Sequence, residues 1–146
     1  MYRKSAVEMR VLILAPVGRD GQLLADTMAA AGIDTEICAN GAILLEKLAE
    51  GAGMAIVAEE ALTSSGASSL RVWLASQPPW ADLPIVILIS GGRPTPETMR
   101  RAHELEALGN ITFLERPVRP ETVQSAVRSA LRARLRQYEV RADRRH

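Results

Sequence analysis

Three nearly continuous apolar runs stand out along the chain: Val11-Leu-Ile-Leu-Ala15, Met54-Ala-Ile-Val-Ala58 and Leu83-Pro-Ile-Val-Ile-Leu-Ile89. Short aliphatic runs bounded by turn residues are the pattern of strands buried on both faces. Two further runs are more polar. Asp34-Thr-Glu-Ile-Cys-Ala39 alternates polar and apolar positions, as an edge strand does, and Ile111-Thr-Phe-Leu114 reads as a fifth strand.

Between the runs the period changes to that of a helix. Asp20 is placed to cap a helix over 21–31 with Leu23, Leu24 and Met28 on one face, and Gly32 ends it as a C′ glycine. Asn40-Gly41 opens a second helix whose stripe is Ile43, Leu44, Leu45 and Leu48. A third spans 64–75 with Leu70, Trp73 and Leu74 turned inward, and a turn follows at 78–82. Thr95 and Pro96 start a fourth, as N-cap and first helical residue. From Pro120 the stripe Val123, Val127, Leu131, Leu135, Tyr138 predicts a helix to about residue 141, longer than a sheet of this size needs.

Five β-α units in succession predict a three-layer, doubly wound α/β domain: a five-stranded parallel sheet in the order 2-1-3-4-5, with helices on both faces and an extended C-terminal helix. The expected domain covers 9–133, with a basic helical extension or linker over 134–146.

Composition narrows the class. The 146 residues fit one domain; 47% are hydrophobic but only 3% aromatic, so aliphatic side chains and alanine must fill the core. No apolar run is long enough to cross a membrane. The apolar run near the N-terminus is too short for a signal peptide and lacks a cleavage site, so a cytoplasmic protein is expected. Cys38 is the single cysteine, which excludes an internal disulfide and a cysteine-based metal cluster. Net charge is +1, unevenly spread: residues 119–146 hold eight arginines and three acids, +5, against −4 for the remainder.

In open α/β sheets ligands bind where the strand order reverses, at the carboxyl ends of the strands. Here that rim carries Ala15-Pro16-Val17, Glu59-Glu60, Ile89-Ser90-Gly91 and Glu115-Arg116-Pro117. Ser90-Gly91-Gly92 lacks the spacing of a nucleotide-binding loop and reads as a flexible connection. Pro16-Val17-Gly18-Arg19 has no hydroxyl cluster of the kind that holds the phosphate of FMN. His103 belongs to a charged helix face and His146 is the last residue, so no catalytic triad is assembled. No cofactor is expected.

The five β-α units, the Leu83-Pro-Ile-Val-Ile-Leu strand and the Arg116-Pro117 pair resemble the CheY-like receiver domains of bacterial two-component signalling. That family places an acidic pair after strand 1 for Mg²⁺, a phosphate-accepting Asp after strand 3, a Thr or Ser after strand 4, and a Lys before a Pro after strand 5. In this chain those positions fall on Ala15 and Pro16, on Glu59, on Ile89 or Ser90, and on Arg116 before Pro117. The resemblance therefore implies a degenerate receiver: a non-catalytic module that is not phosphorylated and works by protein contact. Glu59 is the phospho-acceptor equivalent. Arg116 pairs either with Glu59, imitating the phosphorylated state, or with its neighbour Glu115. The implied contact face comprises Met99, His103, Phe113, Val127, Leu131, Leu135 and Tyr138, and a homodimer is expected. The segment from Glu115 through the arginine-rich helix further resembles receiver-like segments at the N-terminus of PAS-containing sensor histidine kinases, with a kinase or PAS module as partner in cis. Two alternatives stand beside this reading: a nucleic-acid-contacting regulator acting through the basic helix, and a phosphorylation-competent receiver.

Overall fold

A computed structural model describes residues 9–15, 19–61, 64–77, 83–89, 96–107 and 110–144. Pro16, Ser90, the glycines that follow it, Thr95 and the 78–82 turn lie outside the described residues, as does the side chain of Tyr138.

Strands and helices alternate: β1 Val11–Leu14, α1 Asp20–Ala30, β2 Thr35–Ile37, α2 Gly41–Glu50, β3 Met54–Ala58, a 3₁₀ turn Glu59–Ala61, α3 Ser64–Ala75, β4 Pro84–Ile89, α4 Pro96–Glu106, β5 Asn110–Glu115 and α5 Pro120–Arg144. The strands form one sheet in the order β2-β1-β3-β4-β5, every pair parallel. This is the expected doubly wound topology, with its reversal between β1 and β3.

Period-2 alternation divides the core into two layers. Leu12, Leu14, Ala55, Val57, Ile85 and Ile87 point to one face and meet Leu44 and Leu48 of α2 and Leu70 and Leu74 of α3. Val11, Ile13, Met54, Ile56, Val86 and Leu88 point to the other and meet Met28 of α1 and Val123 and Val127 of α5. Helix α4 packs on α3 and on β5. Both faces of the three central strands are covered, which is why those strands are apolar throughout.

Local signals set the helix ends. The Asn40 side chain accepts from the Ile43 amide at 2.9 Å, capping α2. Gly32 has φ +73°. Its amide donates to the Ala29 carbonyl at 3.0 Å and the Ile33 amide to the Met28 carbonyl at 3.0 Å. That is a Schellman motif, which needs a left-handed residue at Gly32.

The base of the sheet is tight. A Cβ on Gly53 would lie 2.4 Å from Leu131 Cδ2 and 2.9 Å from the Met9 carbonyl oxygen. One turn further along α5, Arg134 is only 7% exposed and donates through Nε to the Ala52 carbonyl at 3.2 Å.

Candidate functional site

The strand register brings the rim loops together. Leu14 is level with Val57, and Ala58 with Leu88 and Leu114, so Ala15, Glu59, Ile89 and Glu115 follow at the carboxyl edge. The Arg116 amide continues the ladder by donating to the Ile89 carbonyl at 2.8 Å. The Arg116-Pro117 peptide is cis. Ile89 and Ala15 are half-buried and each packs against one of the two core layers. At these two positions the rim is apolar.

The polar centre of the rim is Arg116. Its guanidinium grips Glu60 through both terminal nitrogens: Nη1 donates to Oε2 at 3.1 Å, and Nη2 donates to Oε1. Nη1 also donates to Oδ2 of Asp20 at 3.0 Å, and Nη2 lies 3.6 Å from Oε1 of Glu59. Three carboxylates, one from the first turn of α1 and two from the 3₁₀ turn after β3, thus converge on one cation. Arginine suits this place because its planar fork satisfies a carboxylate bidentately and still has donors left for a second. The hydrogen bonds from Arg116 hold the Glu60 carboxyl below its ordinary pKa. Reciprocally, the bond to Glu60, followed by the one to Asp20, raises the Arg116 pKa.

Of the two pairings expected for Arg116, the one with Glu59 is present as a contact of 3.6 Å, and Glu60 and Asp20 are closer partners that were not expected. Asp20 does not cap α1. The helix begins at Asp20, Arg19 sits in the N-cap position, and no side chain caps it. A carboxylate in the first helical turn is already favoured by the exposed amides and the helix dipole, and the Arg116 fork draws it toward β5. The sequence signal for Glu60 was the acid doublet after β3. For Asp20 a competing role, capping, explained the residue equally well.

The Mg²⁺ ion that receiver domains use does not fit these residues. The position after β1 is Ala15, which has no donor side chain, and the carboxylates that are present face a guanidinium. Among the described residues no group of three or more His, Cys, Asp or Glu side chains is arranged to hold a metal ion. A hard cation of this kind needs free carboxylate oxygens.

The proposed contact face is also redrawn. Val127 is wholly buried against the sheet, because the stripe of α5 turns inward there; it is core and not surface. Leu131 is half-buried over Gly53, and Leu135 is half-buried. Met99 is half-buried, and the exposed His103 ring meets Phe113 edge-on, centroids 6.4 Å apart at 70°. Arg134, counted from sequence with the basic tail, is instead packed on the domain.

Burial pushes the Cys38 thiol pKa up, in keeping with a packing role. None of the helices among the described residues is long and apolar enough to cross a membrane.

No protein-family model matches the chain, and no curated protein sequence matches it. Solved structures do. The chain is similar to a CheY-like response regulator receiver domain protein from Methanospirillum hungatei JF-1, with a TM-score of 0.69 at 16% identity over 88% of this chain and 98% of that one. It is similar to the chemotaxis response regulator CheY4 of Vibrio cholerae, with a TM-score of 0.65 at 21% identity over 84% and 98%. The signal receiver domain of a LuxO repressor protein from Vibrio parahaemolyticus gives 0.67 at 19% identity over 88% and 95%. The fold of the chain is therefore that of the CheY-like receiver domain, a five-stranded parallel sheet in the order 2-1-3-4-5 between two layers of helices.

Proposed function

We propose that this chain is a receiver-like signalling module of a two-component system that does not take up phosphate through Mg²⁺ and carries out no catalytic step. The observation that carries this reading is the Arg116 guanidinium held among Glu60, Asp20 and Glu59. Phosphoryl transfer in such a site rests on a metal that neutralises developing charge. Here a fixed protein cation neutralises the carboxylates instead, and Glu59 replaces the acceptor Asp with a side chain one methylene longer. The module then works by contact in the cytoplasm. Its partner is another protein, either a second copy of the chain or a kinase or PAS module joined to it. The surface for that contact is the face of α4, β5 and the outer side of α5, which carries Met99, His103, Phe113 and Leu135.

Incubation with acetyl phosphate and Mg²⁺, followed by intact mass measurement, tests the reading. The mass is expected to stay that of the unmodified chain. A phosphoryl adduct that disappears in Glu59→Gln would overturn it.

A further inference from the structure

The outer face of α5 carries a line of positive charge. Arg128, Arg132 and Arg136 are exposed and stand four residues apart, so they share one side of the helix at steps of roughly 6 Å. Like charges at this spacing work against a helix. Among the described residues, none meets the side chain of any of the three in an ion pair or a hydrogen bond. Glu121 lies two turns before Arg128 and Glu139 two turns after Arg132, on the same side, and both are exposed. The positive stretch is thus about 12 Å long, with a carboxylate beyond each end.

The stripe stands on a fixed support. On the side of α5 turned to the domain, Leu131 closes over Gly53, and Arg134 is only 7% exposed. Arg134 donates through Nε to the Ala52 carbonyl at 3.2 Å and through Nη1 to Oε1 of Gln137 at 2.7 Å. These contacts dock the helix on the base of the sheet well past the last residue that the core needs, Val127. A partner meeting the stripe has no helix to order first, which removes one of the costs of binding.

Charge makes the occupant anionic, and the flanking acids limit its length. A long polyanion such as duplex DNA would run past the arginines onto Glu121, Glu139 and a body whose residues 1–118 hold ten lysines and arginines against fourteen acids, −4. A short acidic stretch of a protein fits inside the window. Two copies of the chain meeting through the middle of this face would set arginines against arginines.

We infer that the outer face of α5 docks a short acidic segment of a partner protein, two or three of whose carboxylates meet Arg128, Arg132 and Arg136. The inference rests on the reading of the chain as a module that works by protein contact, and it gives that partner a chemistry. The two fail separately: a phosphoryl adduct would remove the phosphate-independent reading and leave this binding in place, whereas absent binding removes this inference alone.

NMR spectra of the full chain titrated with a short alanine-based peptide carrying three glutamates at four-residue spacing test it, beside the glutamine counterpart of that peptide. The expected result is saturable shifts of the Arg128, Arg132 and Arg136 Nε–Hε signals with the glutamate peptide and none with the glutamine one. Arg128→Gln, Arg132→Gln and Arg136→Gln should each lower the affinity about threefold, the scale of one exposed ion pair. Arg100→Gln, the same charge change at an exposed position of α4, should leave it unchanged. An equal loss in Arg100→Gln would reduce the effect to net charge and overturn the site. Duplex DNA binding more tightly than the peptide at the same salt concentration would overturn the class of partner. No saturable shift, or unchanged affinity in all three α5 variants with their fold intact, would overturn the inference.

Discussion

Arg116 holds Glu60 through both of its terminal nitrogens, and this one pair ties the end of β5 to the end of β3. Asp20 joins from the first turn of α1, so three elements distant in sequence share one cation. Arg116 is 20% exposed, so water competes for these contacts only in part.

Removing the cation should leave three carboxylates facing one another. Arg116→Ala is expected to lower unfolding free energy by about 2 kcal/mol, the scale of hydrogen bonds to charged groups plus the repulsion left behind. Urea denaturation at two salt concentrations checks it. Added salt should recover part of the loss by screening the carboxylates. Arg116→Lys should recover less than wild type, because a lysine cannot span Glu60 and Asp20 with a planar fork. Equal stability of all three proteins would show that the cluster contributes nothing.

Acid should dissolve the pair in a defined direction. The Glu60 carboxyl is held below its ordinary value of 4.5. A depressed carboxylate stabilises the fold fully above that value and loses the contribution as pH falls through the lower, folded value. The stability gap between wild type and Glu60→Gln should therefore be widest near neutral pH, at most about 1 kcal/mol for a pair this exposed. It should shrink below pH 4.5. A gap that grows on acidification would contradict the assignment.

Gly53 is the tightest point in the base of the sheet. Gly53→Ala sets a methyl against Leu131 and against the Met9 carbonyl, and overpacking of this kind costs about 1–3 kcal/mol. Leu131→Ala in the same chain should relieve the side-chain clash and leave the backbone one. A double-mutant cycle by thermal denaturation is expected to show favourable coupling between the two substitutions. Additive losses would place Leu131 away from Gly53.

Much of this was legible in the chain. Val11–Leu14, Met54–Ala58 and the run ending at Ile89 are apolar at every position because both faces of a central parallel strand are covered, so strand number and class followed directly. Asn40 and Gly32 marked helix ends through local hydrogen bonds that their own neighbours supply. The partners of Arg116 were less legible, because Glu60 and Asp20 meet it only through tertiary structure, and each had a satisfactory local explanation. Arg134 misled for a related reason. An arginine among arginines on a helix reads as solvated, but this one is buried and donates to the Ala52 carbonyl and to Gln137. Val127 was placed on a contact face because one stripe served two purposes, core near Pro120 and surface beyond, and periodicity does not say where the change occurs. Leu23 shows the converse: its helical period points inward, yet it is 55% exposed.

Arg116 engages the carboxylates of Asp20, Glu60 and Glu59, which a divalent cation at this rim would need free. Titration with MgCl₂, followed through the backbone amide signals of Ala15, Glu59, Glu60 and Arg116, tests it most directly. Only the small, non-saturating drift that ionic strength produces is expected. Saturable shifts confined to those residues, reproduced by Mn²⁺ as local line broadening, would contradict it.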